Sequence, residues 1–97
     1  MKIKELLTDE SKWCKGQLAK RDGGYVVVPD HIDATAFCLM GAAFRCYRGA
    51  GTYYTVLNVL NDGIASLGGS RMDVTFWNDA PERTFAEVKA LVEKLDI

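Results

Sequence analysis

Thr84 and Glu87 stand three residues apart at the head of an amphipathic stripe, and this spacing constrains the fold more than any other feature of the chain. The threonine hydroxyl can accept from an orphan amide of a first helical turn while the glutamate reaches back to the threonine amide, the reciprocal arrangement of a capping box. A helix therefore begins at Phe85 and runs to about Leu95, with Phe85, Val88, Leu91, Val92 and Leu95 on one face and Glu87, Lys89, Glu93 and Lys94 outside it. Ahead of it lies Trp77-Asn78-Asp79-Ala80-Pro81-Glu82-Arg83, an aromatic anchor followed by a polar turn. Asn78, Asp79, Glu82 and Arg83 suit a turn that satisfies its own polar groups. They equally suit a recognition loop, because Arg and Trp concentrate at the energetic centres of interfaces.

Ninety-seven residues make a single domain over 1–97, and 48% hydrophobic with 26% charged residues is the balance of a folded globule. The formal net charge of -1 gives no overall field that would draw the chain to nucleic acid. No stretch approaches the ~18 consecutive apolar residues of a membrane span. Met1-Lys2-Ile3-Lys4-Glu5 lacks the apolar core of a signal peptide, so a cytoplasmic location is expected. Cys14, Cys38 and Cys46 are odd in number and show no Cys-x-x-Cys spacing, which argues against a disulfide framework and a zinc knuckle and points to reduced thiols.

Ile3, Leu6, Leu7 and Trp13 share a helical face, which predicts a first helix to about Lys15 unless Thr8, Asp9 and Ser11 restart it midway. Asp22-Gly23-Gly24 is a turn into Tyr25-Val26-Val27-Val28, an extended run that Pro29 stops. Its expected partner in a two-stranded ribbon is 72–77, where Met72, Val74 and Phe76 alternate with Asp73, Thr75 and Trp77. The segment from Ala34 to Tyr47 is apolar nearly all round and reads as a buried helix, capped by Asp30 or Asp33 and stopped at Gly49 and Gly51. Its Gly41-Ala42-Ala43 would let another helix approach closely. Thr52 opens a further helix through Tyr53, Val56, Leu57 and Leu60, which Asn61-Asp62-Gly63 ends or bends. Ile64 to Leu67 adds one turn before a flexible Gly68-Gly69-Ser70 link. The expected fold is mainly α, a compact irregular bundle of about four helices with at most a small two-stranded β ribbon.

No catalytic set emerges. A nucleophilic cysteine needs a base, and His31 is the only histidine. Cys38 would lie about 10 Å from it along a helix axis, too far for a hydrogen bond. Buried packing is the ordinary place for such cysteines. Asp30-His31-Ile32-Asp33 is dense in ligand types, but aspartates at a helix start serve as caps and no paired ligand motif accompanies them, so neither metal nor cofactor is expected. Gly23-Gly24 and Gly68-Gly69-Ser70 lack the lysine and following helix of a phosphate loop. Lys12, Lys15, Lys20 and Arg21, with Trp13 and Tyr25, form only a small basic and aromatic face, so nucleic acid is not the expected partner.

Three pieces together resemble a family of small uncharacterised bacterial and phage proteins, a domain of unknown function. They are Trp13 with Gly16 in a Trp-x-x-Gly context, Ala36-Phe37-Cys38-Leu39-Met40-Gly41-Ala42, and Trp77-Asn78-Asp79 followed by Arg83-Thr84 and Glu87-Val88. The resemblance spans most of the chain and implies an architecture shared through Trp13, Cys38, Gly41, Trp77, Asn78, Asp79 and Arg83, with no assigned activity. A phage or mobile-element origin implies in turn a small inhibitor of a host defence system, of the anti-CRISPR kind. The leading expectation is a non-catalytic protein–protein interaction protein that presents Trp77, Asn78, Asp79, Glu82, Arg83, Tyr53 and Tyr54 to a larger protein partner. One alternative is a cysteine-dependent hydrolase or transferase using Cys14 or Cys38 with His31; the other is a nucleic-acid-binding accessory protein.

Overall fold

The computed structural model describes residues 1–68 and 73–97. Asp9 interrupts the first apolar stripe: its carboxylate accepts from the Ser11 amide at 2.9 Å. The chain accordingly forms a short helix α1 (Ile3–Leu6) and a separate 3-10 turn (Glu10–Lys12), the restart at Asp9 replacing one helix to Lys15. Trp13 then lies beside Phe37 in an isolated parallel bridge.

A small ribbon is present, built from other residues than expected. Strand β1 (Ala19–Arg21) pairs antiparallel with β2 (Ala34–Phe37), Ala19 opposite Phe37 and Lys20 opposite Ala36. The 25–28 segment pairs with the other side of β1, through a single bridge between Val26 and Lys20. The reason is local: Gly23 and Gly24 adopt φ of +87° and +81°, and the Gly24 amide donates to the Arg21 carbonyl at 3.0 Å, which folds the chain straight back. Closing so short a loop costs far less entropy than reaching 72–77.

β2 also takes the first residues of the expected central helix. That helix, α2, is Leu39–Tyr47, and its amino end is capped by Cys38, whose Sγ accepts from the Gly41 amide at 3.4 Å, instead of by Asp30 or Asp33. Asp30 pairs with Arg48, and the Asp33 amide donates to His31 Nδ1. Gly41 admits backbone, not a helix: a Cβ there would sit 1.8 Å from the Leu18 carbonyl oxygen. The close helix approach occurs at Gly63, where a Cβ would meet the Leu95 side chain at 2.9 Å. Gly63 lies inside α3 (Tyr53–Gly68), which runs through Asn61-Asp62-Gly63 because Val56, Leu60, Gly63 and Ile64 form one continuous buried stripe.

The run expected as a strand at 72–77 is helix α4 (Val74–Asp79) over its described residues. The Asp73 carboxylate accepts from the Thr75 amide at 2.8 Å and starts the turn, and Val74, Trp77 and Asn78 then face inward at helical spacing. Met72 and the Gly69-Ser70 part of the expected link lie outside the described residues. Helix α5 (Phe85–Leu95) carries both halves of the Thr84 and Glu87 capping box and buries Val88, Leu91 and Val92. The core joins Ile3 and Leu7 to Leu39, Leu60, Ile64, Val74, Trp77, Val88 and Val92. The fold is mainly α with a small two-stranded antiparallel sheet. Among the described residues no helix is long and apolar enough to cross a membrane.

Candidate functional site

Helix α4 turns Trp77 and Asn78 toward the core, at 4% and 0% exposure. Asn78 makes four hydrogen bonds. Its Oδ1 accepts from Trp13 Nε1 at 2.7 Å and from the Leu39 amide at 3.1 Å; its Nδ2 donates to the Cys14 carbonyl at 3.1 Å and to Asp79 Oδ1 at 2.9 Å. Two donors and two acceptor sites are the whole capacity of a carboxamide.

The position of this side chain follows from strand geometry. The Cys14 amide donates to the Phe37 carbonyl at 3.1 Å, the beginning of a parallel ladder whose next rung would join the Leu39 amide to the Cys14 carbonyl. The strands separate there because α2 begins. The Asn78 carboxamide fills the opening like an inserted peptide unit, accepting from Leu39 and donating to Cys14. It thereby satisfies an orphan amide in the first turn of α2.

The neighbouring polar groups extend the same tie. Asp79 Oδ1 accepts from the Gly16 amide at 3.0 Å, and Lys15 Nζ donates to the Ala80 carbonyl at 2.8 Å and the Pro81 carbonyl at 3.3 Å. Trp13 packs on Phe85 with ring centroids 6.2 Å apart. The Arg83 guanidinium stacks 3.9 Å above the Trp77 ring, donates from Nε to the Trp77 carbonyl and pairs with Glu87 at 2.9 Å. Glu87's carboxyl is held below its ordinary range, first by the Thr84 amide and further by Arg83. The structure thus brings Trp77, Asn78, Asp79 and Arg83 together and joins them to Trp13, Lys15 and Gly16. It places Tyr53 elsewhere, edge-on to Phe44 at 5.5 Å, with Tyr54 beside it and 77% exposed. Of the seven residues singled out in the sequence, Glu82 and Tyr54 are exposed.

Two of the three thiols hydrogen-bond to backbone. Cys14 Sγ donates to the Gln17 carbonyl and Cys38 Sγ accepts from Gly41, while His31 Nδ1 accepts within its own turn. Burial pushes all three thiols up, Cys14 to about 11, so none has the character of an activated nucleophile. No group of metal-ligating side chains occurs among the described residues. In the basic set, Lys15 is engaged by two carbonyls and Arg21 lies over the Tyr25 ring at 4.6 Å. A cleft between α3, α4 and α5, about 480 Å³ in volume, has Ile64, Leu67, Trp77 and Leu91 on its walls with Arg83 and Glu87 beside them. It can receive an apolar group, and it presents no nucleophile and base in hydrogen-bond contact.

One surface escapes a reading by motifs. Tyr25, Val26 and Val28, on the segment that bridges to the outer side of β1, are 60–61% exposed, and Ile32, past the turn at Pro29, is 90% exposed. The Arg21 amide donates to the Tyr25 carbonyl and the Val27 amide to the Ala19 carbonyl, which leaves the Val26 amide and carbonyl pointing away from β1. Among the described residues no backbone hydrogen bond uses them. The signal in the sequence is a β-branched run on the open side of a hairpin, whose pairing had to be known before its free edge could be seen.

The model of a family of unknown function (DUF6197) matches residues 2–95. No curated protein and no solved structure matches.

Proposed function

Because the chain belongs to DUF6197, whose function is unknown, we propose its role from its surface: a small protein–protein interaction module that takes an extended segment of a larger partner onto the free edge at Val26. The observation that carries this reading is the outward pair of backbone groups on Val26, flanked by the exposed Tyr25 and Val28, with Ile32 exposed past the turn that follows. A strand laid on such an edge gains main-chain hydrogen bonds and covers alternate side chains. Pro29 and the turn in which the His31 amide donates to the Val28 carbonyl end the edge, so the partner contributes a short segment with an apolar residue for Ile32. The resemblance to bacterial and phage proteins makes a bacterial protein, a component of a host defence system included, the first class of partner to test.

Val26→Pro removes the outward amide and none of the hydrogen bonds to β1, and proline is tolerated on sheet edges. Affinity capture from bacterial lysate should recover a partner with the wild-type chain and lose it with Val26→Pro and with Ile32→Glu, both variants melting near the wild type. Equal recovery by all three chains, or loss instead on substituting Glu82 and Tyr54, would overturn the assignment.

A further inference from the structure

The parallel bridge between Trp13 and Phe37 sets the next residue of each strand, Cys14 and Cys38, side by side. The hydrogen bond from the Cys14 amide to the Phe37 carbonyl, at 3.1 Å, is the last direct tie before the strands part, and neighbouring strands lie about 4.8 Å apart. A disulfide joins Cα atoms about 4.4–6.8 Å apart. Residues in register on neighbouring strands project their side chains to the same side of the sheet. Both sulfurs also border the same backbone: Cys14 Sγ donates to the Gln17 carbonyl, and Cys38 Sγ binds the amide of Gly41, whose Cα packs on the adjoining Leu18 carbonyl. Cys38 adds to burial in raising the Cys14 thiol. Cys46, near the far end of α2, is not part of this register.

We propose that Cys14 and Cys38 are an oxidisable pair that closes to an intramolecular disulfide under a peroxide. Half-buried Cys14 reacts first: its sulfur attacks one peroxide oxygen, the O–O bond breaks, and a sulfenic acid and one water result. The Cys38 sulfur then displaces the sulfenic hydroxyl, which leaves with the Cys38 proton as a second water. Two thiols lose two electrons and two protons in all, and the peroxide takes up both. Because burial keeps the thiols protonated, closure is slow near neutrality and accelerates as pH rises toward the range in which Cys14 ionises. The bond fastens the segment from Trp13 to Gly16 to the β2–α2 junction, where Asn78 bridges the same two strands.

The test is peroxide treatment of the whole chain at mildly alkaline pH, followed by alkylation and tryptic digestion without reductant. The expected product links peptide Trp13–Lys15 to peptide Asp22–Arg45, with Cys46 alone still alkylated and the link reversed by reductant. Cys14→Ser and Cys38→Ser should each abolish the linked product, and Cys46→Ser should retain it. A link through Cys46, over-oxidation of Cys14 with Cys38 still free, or full alkylation of all three thiols would overturn the pairing. None of these outcomes bears on the edge at Val26.

Discussion

Replacing Asn78 with alanine deletes the whole carboxamide while leaving a good helix former in α4. Trp13 Nε1, the Leu39 amide and the Cys14 carbonyl each lose the partner that Asn78 supplies. Asp79 keeps the Gly16 amide and reaches solvent, so its loss counts little. A hydrogen bond contributes about 1 kcal/mol net, and a buried group left without a partner costs about 1–3 kcal/mol. Three such groups therefore cost roughly 3–9 kcal/mol, falling toward the lower figure if a water enters the vacated space. Against about 5–15 kcal/mol of total stability this is a large fraction. At roughly 4–8 °C per kcal/mol, a loss of about 3 kcal/mol lowers Tm by roughly 12–24 °C. Urea unfolding followed by tryptophan emission measures it well, because Trp13 bonds to the carboxamide and Trp77 precedes it in α4. A loss below about 1 kcal/mol at unchanged m value would refute the account of Asn78 as a bridging peptide unit. Asn78→Asp sharpens the test, since it keeps the acceptor and size but sets a negative charge against the Cys14 carbonyl and Asp79. Burial and Asp79 raise the pKa of the introduced carboxyl above its unfolded value, so its destabilisation is greatest at neutral pH and shrinks as pH falls through that raised pKa.

Gly41→Ala should cost about 3 kcal/mol or more, because the new Cβ would meet the Leu18 carbonyl oxygen at 1.8 Å and its carbon at 2.7 Å, backbone atoms with nowhere to go. Gly49→Ala, in open space, should stay within about 0.5 kcal/mol in the same melts, and equal effects at the two glycines would contradict the close approach. Asp96, hydrogen-bonded by Lys4 and Lys2, is held at about 2 against its ordinary 3.8. A folded pKa below the unfolded one contributes stability that is present above pH 3.8 and is lost as pH falls toward 2. The Tm gap between wild type and Asp96→Asn should therefore close on acidification over that range, and a gap independent of pH would exclude the linkage.

Legibility in the sequence tracks how local the deciding interactions are. The whole of α5 is readable, both bounds included, because its cap and its stripe lie within the helix and the residue before it. The Ala34–Phe37 strand is not, because Ala-Thr-Ala-Phe suits a buried helix as well as a strand and the decision comes from pairing with Ala19–Arg21, which no apolar alternation marks. At 74–79 two periods compete. Phe76 continues an apparent strand alternation and ends 71% exposed, whereas Val74, Trp77 and Asn78 follow the helical period that Asp73 starts and are buried. Asn78 itself reads as a turn residue, because nothing in its neighbourhood announces that two strands part at Cys14 and Leu39 and need a carboxamide between them.

Trp13, Gly16, Cys38, Gly41, Trp77, Asn78, Asp79 and Arg83 form a connected set in space. Trp13 bonds to Asn78, Asn78 to Asp79, Asp79 to Gly16; Arg83 covers Trp77; Cys38 caps the helix in which Gly41 admits Leu18. A ligand seeking the Asn78 carboxamide would have to displace four hydrogen bonds in a site closed to solvent, at a cost of several kcal/mol before gaining any contact. A partner at Val26 displaces none, since the amide and carbonyl it would use face outward from the hairpin. Substitutions in the connected set should thus register first as lost stability. Those at Val26 and Ile32 should register as lost binding with stability intact, so that the two classes separate when melting and capture are measured on the same variants.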